Sequence, residues 1–69
     1  MTIGERIQTL RVERGLSRNE LARLLNVGYD TVYNWEHCGA TPHLRYIRAA
    51  ARLLCVEFDV LINGGQGLG

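Results

Sequence analysis

Two short helical runs of apolar residues are separated by only three residues, Asn26-Val27-Gly28. Asparagine tolerates the left-handed backbone conformation, so the first run can end at Asn26. The second run restarts at once, and we expect Val27 to fill the turn while Gly28 acts as the N-cap of a helix over residues 29–37. Two short helices joined by such a tight turn can cross at a steep angle. The second helix would then protrude while the first one braces it.

A first helix is predicted ahead of this pair. Thr2 can serve as its N-cap, and Ile3, Ile7 and Leu10 recur at helical spacing along one stripe. Gly15 can end the helix, because glycine readily adopts the left-handed conformation that follows a last helical turn. The stripe predicts that one face of this helix packs against the core.

The second helix begins at a capping sequence. The S-x-x-E pattern from Ser17 to Glu20 is typical of a capping box, in which the serine hydroxyl accepts from the glutamate amide and the carboxylate reaches back. The residues predicted to face inward from this helix are Leu21, Ala22 and Leu25.

Two more helices are predicted after residue 40. Thr41 and Pro42 suit the N-cap and first position of a fourth helix, and residues 58–62 suit a fifth. The inward stripe of the fourth helix is predicted to be Leu44, Ile47, Ala51 and Leu54. The sequence has no strand pattern, repeat or second domain. It therefore predicts an all-α fold, a compact bundle of about five short helices over residues 1–63, with a flexible glycine-rich tail at residues 64–69.

Length and composition restrict the class of protein. A chain of 69 residues with 46% hydrophobic residues predicts one globular domain near the lower size limit for independent folding. No apolar run approaches the roughly 18 residues of a membrane span, and the first residues lack the basic start of a signal peptide. We therefore expect a cytoplasmic protein with no membrane partner. The net charge is only +1 and all eight cations are arginines, most of them expected to be solvated surface charges.

The cysteines and histidines do not have the spacing of a metal site. His37, Cys38, His43 and Cys55 could in principle bind zinc, but none of the standard ligand spacings occurs. We expect no metal, and we expect the cysteines to be buried or half-buried unpaired thiols. The sequence also contains no recognisable nucleophile–base pair or pair of catalytic carboxylates. It therefore predicts no enzyme, no cofactor and no small-molecule substrate.

The helix predicted over residues 29–37 has an unusually polar face. Only Val32 and Trp35 are strongly apolar, so we assign these two residues to the core. A protruding helix can enter the major groove of DNA, whose width admits one α-helix. The spacing alone leaves other interpretations open, since such a face can be simply solvated, and a tyrosine-rich helix also suits a protein interface.

A family resemblance favours DNA. The motifs "IGERI..LR.ERGLSRNELA..LNV...TV.NWE" and "P....I..AA..L.V" extend from about Ile3 to Leu61. With them the chain resembles the phage repressor/Cro-type helix-turn-helix family, also called the XRE family. The resemblance implies a sequence-specific double-stranded DNA-binding regulator, a repressor that acts as a homodimer on an operator with two related half-sites. The alternative is a protein-interaction module, an adaptor or antitoxin-like partner that has kept the helical scaffold, and the low net charge supports it.

The resemblance also assigns roles to individual residues. The side chains expected to contact bases are Tyr29, Asp30, Tyr33 and Asn34, and those expected to contact phosphates are Arg18, Thr31, His37 and Arg45. Asn34 is the strongest candidate for reading a base, because its amide can pair with N6 and N7 of adenine. The position of Asp30 is equally explained by the dipole of its helix. Arg11 and Glu36 match positions that form a buried salt bridge in some members.

The chain departs from the family pattern at several of these positions. Arg18 stands where glutamine is usual, Gly28 where serine is usual, and Cys55 where glycine is frequent.

A dimer contact is predicted at Phe58, Leu61 and Ile62, because three large apolar residues in a short last helix exceed what one small core needs.

Overall fold

The computed structural model describes residues 2–63, which form five α-helices. Their bounds are α1 Ile3–Glu13, α2 Arg18–Leu25, α3 Tyr29–His37, α4 Leu44–Leu53 and α5 Phe58–Asn63. Between residues 2 and 63 no strand occurs. The predicted all-α fold of five short helices is confirmed, while the tail predicted at residues 64–69 lies outside the described residues.

Capping boxes are present at the starts of α1 and α2; the one at Ser17 was predicted, whereas Thr2 was predicted only as an N-cap. The Thr2 hydroxyl accepts from the Glu5 amide at 3.0 Å, and the Thr2 amide donates to the Glu5 carboxylate at 2.8 Å. The Ser17 hydroxyl accepts from the Glu20 amide at 3.0 Å, and the Ser17 amide donates to Glu20 at 2.7 Å. The hydrogen bond from the Ser17 amide, and after it the contact with the Ser17 side chain, lower the pKa of the Glu20 carboxyl below its usual value. The starts of α1 and α2 are therefore fixed by local hydrogen bonds.

The predicted helix ends are confirmed by backbone angles. Gly15 follows α1 with φ of +70°, and Asn26 ends α2 with φ of 61°. Cys55 follows α4 with φ of 59°, a conformation that favours glycine. The chain thus places a non-glycine residue in the left-handed region at this last turn.

All five helices contribute to one core. The largest fully buried side chains are Ile7, Leu21, Val32, Leu54 and Leu61. Helix α1 packs against α3 and α5, α2 packs against α3 and α4, and α4 packs against α5. Val32 and Trp35 are buried, as predicted, and so are Leu21, Ala22 and Leu25. One side of α3 is therefore fixed in the core.

Gly4 allows α1 to approach α3 more closely than any larger residue would permit. A Cβ atom at Gly4 would lie 1.7 Å from the carbonyl oxygen of Trp35. This contact was not predicted, because Gly4 lies inside a helical pattern and its partner is 31 positions away. Backbone therefore packs directly on backbone where α1 crosses the end of α3.

The predicted start of α4 was wrong. Thr41 and Pro42 precede the helix, which begins at Leu44 with His43 as its N-cap. Pro42 is buried and lines a cleft of about 320 Å³ beside the first residues of α1, so tertiary packing holds it outside the helix. Leu44 was predicted to face inward but is 48% exposed, because the buried face of α4 is centred on Ile47 and its neighbours Ala50, Ala51 and Leu54.

The predicted burial of the thiols was also wrong. Cys38 and Cys55 are both exposed. Cys38 is the C-cap of α3 and Cys55 lies in the turn after α4, and such surface turns are poorly covered by neighbouring elements.

No helix within residues 2–63 has the combination of length and apolar character needed to cross a membrane.

Candidate nucleic-acid interface

Helices α2 and α3 are joined by a turn whose conformation follows from its three residues. Asn26 takes the left-handed conformation, and the Val27 amide donates to the Ala22 carbonyl at 2.9 Å. Val27 packs partly buried against the core, as predicted. Gly28 has an extended backbone and occupies the N-cap position of α3, also as predicted. The turn therefore reverses the chain tightly and presents α3 at the surface.

The predicted base-contacting residues all lie on the exposed side of α3. Tyr29 is 42% exposed and Tyr33 is 41% exposed. Asp30 and Asn34 are exposed beside them, while Thr31 is half-buried. Since Val32, Trp35 and Glu36 occupy the buried side, the polar face is held outward by the core.

Three rings follow one another along this exposed side. The ring centroids of Tyr29 and Tyr33 are 6.4 Å apart, and those of Tyr33 and His37 are 4.4 Å apart. We call Tyr29, Tyr33 and His37 the aromatic stripe. Their spacing of four residues is visible in the sequence, and side chains at i and i+4 are neighbours on a helix. The three residues were predicted as separate DNA contacts, although their spacing could have indicated the stripe.

Arg18, the first residue of α2, contacts every ring of the aromatic stripe. Its Nη1 donates to the Tyr29 hydroxyl at 3.2 Å, and its Nη2 donates to Nε2 of His37 at 2.8 Å. Its guanidinium carbon lies 5.4 Å from the centre of the Tyr33 ring, within the range of a cation–π interaction. Because arginine can only donate, this geometry uses the His37 tautomer whose Nε2 is unprotonated.

A buried carboxylate anchors Arg18 from the other side. Arg18 Nε donates to Glu36 Oε1 at 2.8 Å, and the hydrogen bonds to Glu36 and then to Tyr29 raise the pKa of Arg18 above its usual value. Arg11 binds the same carboxylate through Nε at 2.8 Å and Nη2 at 3.1 Å. The buried salt bridge implied for Arg11 and Glu36 is therefore confirmed. Arg18 joins this salt bridge, which was not predicted.

The other predicted DNA contacts are less constrained. The Cys38 thiol donates to Asn34 Oδ1 at 3.5 Å, a weak contact that leaves the amide group of Asn34 exposed. Arg45 lies exposed at the second position of α4, with its guanidinium 5.3 Å from the ring centre of Tyr46. The structure thus brings Arg18 and His37 together and leaves Arg45 on a different helix.

The residues predicted for the dimer contact differ in what they can offer. Leu61 is fully buried in the core, so its side chain has no surface for a partner. Phe58 and Ile62 are partly buried and pack against the core with surface remaining. Arg48 places its guanidinium carbon 5.5 Å from the ring centre of Phe58. Arg6, which the sequence analysis did not single out, donates from Nη1 to the Leu61 and Ile62 carbonyls at 2.9 Å each and so ties α5 to α1.

Across the part of the chain that the structure describes, no three His, Cys, Asp or Glu side chains are close enough together to hold a metal ion.

Comparison with known proteins assigns this arrangement to a family. The helix-turn-helix domain family matches the chain over residues 2–62. The chain belongs to this family. A solved structure of SinR, described as the master regulator for biofilm formation in complex with DNA, superposes with a TM-score of 0.80 and 27% sequence identity. That match covers 90% of this chain and 100% of the SinR chain.

A second relative is a longer protein. The HTH-type transcriptional activator BcrR of Enterococcus faecalis is 26% identical over 66 residues, which are 96% of this chain and 32% of BcrR. The chain therefore spans about a third of that protein's length.

In this helix-turn-helix protein, α2 and α3 are the two helices that give the family its name. The resemblance to the repressor/Cro type is confirmed. Helix α3 exposes its polar side, and α2 contacts α3 through Arg18 in its first turn. The fold and family are those of DNA-binding transcription regulators.

Proposed function

We propose that this protein is a sequence-specific double-stranded DNA-binding regulator that acts in the cytoplasm as a homodimer on an operator with two related half-sites. One observation carries the proposal. The side of α3 that faces away from the core presents Tyr29, Asp30, Tyr33 and Asn34 together, and α2 braces this helix. The likeness to SinR, whose structure is described as a complex with DNA, supports the same function.

The proposed contacts fall into two groups. The residues that read base edges are Tyr29, Asp30, Tyr33 and Asn34, and those that contact phosphates are Arg18, Thr31, His37 and Arg45. Phosphate contacts fix the position of a protein on the duplex, whereas base contacts provide sequence specificity. Because the net charge is only +1, we expect the sequence-independent electrostatic part of the affinity to be modest.

The proposed dimer uses α5. Phe58 and Ile62 keep apolar surface outside the core, and two-fold symmetry would bring both residues of one protomer against those of its partner. The two α3 helices would then lie about 34 Å apart, one turn of the duplex. Sedimentation of the protein free and on a full operator is expected to give a dimer on DNA, and a monomer in both conditions would contradict the dimer.

Repression is the proposed direction of regulation, since a dimer bound within a promoter excludes polymerase sterically. BcrR is named an activator, so activation is the competing outcome. A reporter gene placed behind the selected operator distinguishes the two, because a repressor lowers expression and an activator raises it.

Selection of bound sites from a random DNA library tests the function itself. We expect a two-part consensus, and we expect its affinity to fall with salt by a slope of about 0.9 per phosphate contact. Random DNA of the same length is the control. Absence of any enriched sequence, together with binding that lacks a salt slope, would favour the protein-interaction module.

A further inference from the structure

The aromatic stripe is fixed before any ligand binds. Tyr29 and Tyr33 stack, Tyr33 and His37 lie closer still, and Arg18 contacts all three rings. Exposed side chains ordinarily sample several rotamers, and binding then has to restrict them. Here the rings already share one arrangement, so a ligand meets a preformed surface.

Arg18 is itself held in place by the buried Glu36 carboxylate. The Glu36 side chain that binds it has no exposed surface and is also bound by Arg11. The chain of contacts runs from the buried Arg11 through Glu36 to Arg18 and from there to the rings. Movement of the aromatic stripe would therefore break the hydrogen bonds that join Tyr29 and His37 to Arg18, or would break the charge-assisted bond from Arg18 to the buried carboxylate.

The exposed part of the aromatic stripe differs chemically from its neighbours on α3. Asp30 and Asn34 offer groups that bond base edges, whereas Tyr29 and Tyr33 are aromatic residues that are each about two-fifths exposed. The Tyr29 hydroxyl already accepts from Arg18. In the major groove the feature that matches an apolar surface is the C5-methyl group of thymine.

We propose that the aromatic stripe is a preformed apolar surface that recognises a thymine C5-methyl in each operator half-site, and that Arg18 is its positioning residue. This inference rests on the proposed function, because it concerns which feature of the DNA the same face of α3 reads. The positioning role is compatible with the phosphate contact proposed for Arg18. Nη1 and Nη2 each use one N–H on Tyr29 and His37 and keep a second N–H that can donate to a phosphate. Tyr33, at the centre of the stripe, is the residue that makes the methyl contact.

Deoxyuridine provides the test, because it differs from thymidine only in lacking the C5-methyl group. Each thymine of the selected operator is replaced singly, and the dissociation constant is measured by fluorescence anisotropy at one salt concentration. We expect at least one replacement in each half-site to weaken binding by about fourfold, the value of one buried methyl-sized group. Replacements at other thymines of the same operator are the internal control.

Three variants assign the effect to the aromatic stripe. Tyr33→Ala is expected to abolish the fourfold loss, because the surface that meets the methyl is gone. Arg18→Gln is expected to reduce the loss on deoxyuridine replacement to less than about twofold, since the rings no longer contact the guanidinium that positions them. Arg23→Gln is the matched control, because it removes the same charge from an exposed position of the same helix, and it should keep the full loss. Thermal unfolding verifies that each variant is folded.

The outcomes separate this inference from the proposed function. If the library yields no bound sequence, both fail. If a sequence is bound and no deoxyuridine replacement weakens binding, or if Tyr33→Ala keeps the loss, only the methyl contact is overturned. An unchanged loss in Arg18→Gln overturns the positioning role of Arg18.

Discussion

Arg18 Nε donates to Glu36 Oε1 at 2.8 Å, and this bond joins the exposed face of α3 to the interior. The Glu36 side chain has no exposed surface, whereas that of Arg18 is 25% exposed. Arg11 binds the same carboxylate through both oxygens. One buried anion is thus shared by a core arginine and a surface arginine, so the stability of the fold and the shape of the candidate interface are coupled.

Because Arg11 and Arg18 share Glu36, we expect substitutions of Glu36 and Arg18 to destabilise the fold by unequal amounts. Glu36→Ala should destabilise the fold by about 3–5 kcal/mol, because Arg11 would be left as a buried unpaired charge. Arg18→Ala should cost much less, since Arg18 is partly exposed and Glu36 keeps its pairing with Arg11. Chemical denaturation measures both values. Glu13→Ala removes a carboxylate from an exposed pair and should change stability by less than about 0.5 kcal/mol. Equal losses for Glu36→Ala and Glu13→Ala would contradict the buried-pair argument.

Gly4 should be intolerant of any side chain. A Cβ at this position would lie 1.7 Å from the Trp35 carbonyl oxygen, so Gly4→Ala must separate α1 from α3 and should cost about 3 kcal/mol or more. Gly28→Ala is the control, because the atom nearest to its Cβ is 4.0 Å away, and it should cost less than about 1 kcal/mol. Thermal melts compare the two variants. A Gly4→Ala protein as stable as the Gly28→Ala protein would be inconsistent with this close packing.

The capping box of α2 should make stability depend on pH. The pKa of Glu20 is lowered in the folded protein, so its contribution is present above the usual value of 4.5 and is lost as the pH falls through the lower folded pKa. Glu20→Gln keeps an oxygen that accepts from Ser17 but cannot titrate. We therefore expect the native protein to be more stable than Glu20→Gln at pH 7 and to lose this advantage progressively as the pH falls below 4.5. Melting temperatures of both proteins recorded across that pH range provide the measurement. A difference in melting temperature that does not change with pH would contradict the role of the Glu20 carboxylate.

Cys55 offers a simple stabilising substitution. Its φ of 59° lies in the left-handed region, where glycine has no steric penalty. Cys55→Gly should raise the free energy of unfolding by about 0.5–1 kcal/mol, a few degrees in melting temperature for a domain of this size. Cys55→Ala also removes the thiol but keeps the unfavourable backbone, so it should bring no gain. A gain of equal size in both variants would mean that the thiol, not the backbone, is responsible.

Asn34 and Arg18 should affect DNA binding in different ways. Asn34→Ala should cost about 1–3 kcal/mol per half-site on the cognate operator and leave binding to random DNA almost unchanged, with the same salt slope. Arg18→Ala should weaken binding to both DNAs and lower the slope by about 0.9. Titrations at several salt concentrations separate the two patterns. Equal weakening of both DNAs by Asn34→Ala would show that this residue does not read a base.

Several features of the fold follow from local sequence. The capping boxes at Thr2 and Ser17, the left-handed ends at Gly15 and Asn26, and the bounds of α3 all depend on residues within a few positions of one another. Hydrogen bonds and backbone preferences over such short distances are readable from the chain. The exposed polar face of α3 followed in the same way, because only Val32 and Trp35 interrupt it.

Other features depended on contacts between distant residues. Pro42 suits a helix start by its local geometry, yet packing beside α1 keeps it outside α4. Leu61 has the apolar character of an interface residue, yet the core buries it completely. Arg18 has the charge of a phosphate ligand, yet Glu36 and the three rings hold it against α3. By itself the sequence determined that five helices form, where α2 and α3 begin and end, and which side of α3 is polar, because those properties arise from neighbouring residues. Tertiary structure decided which apolar residues remain at the surface and how the polar side is organised, because burial and ion pairing are set by partners far along the chain.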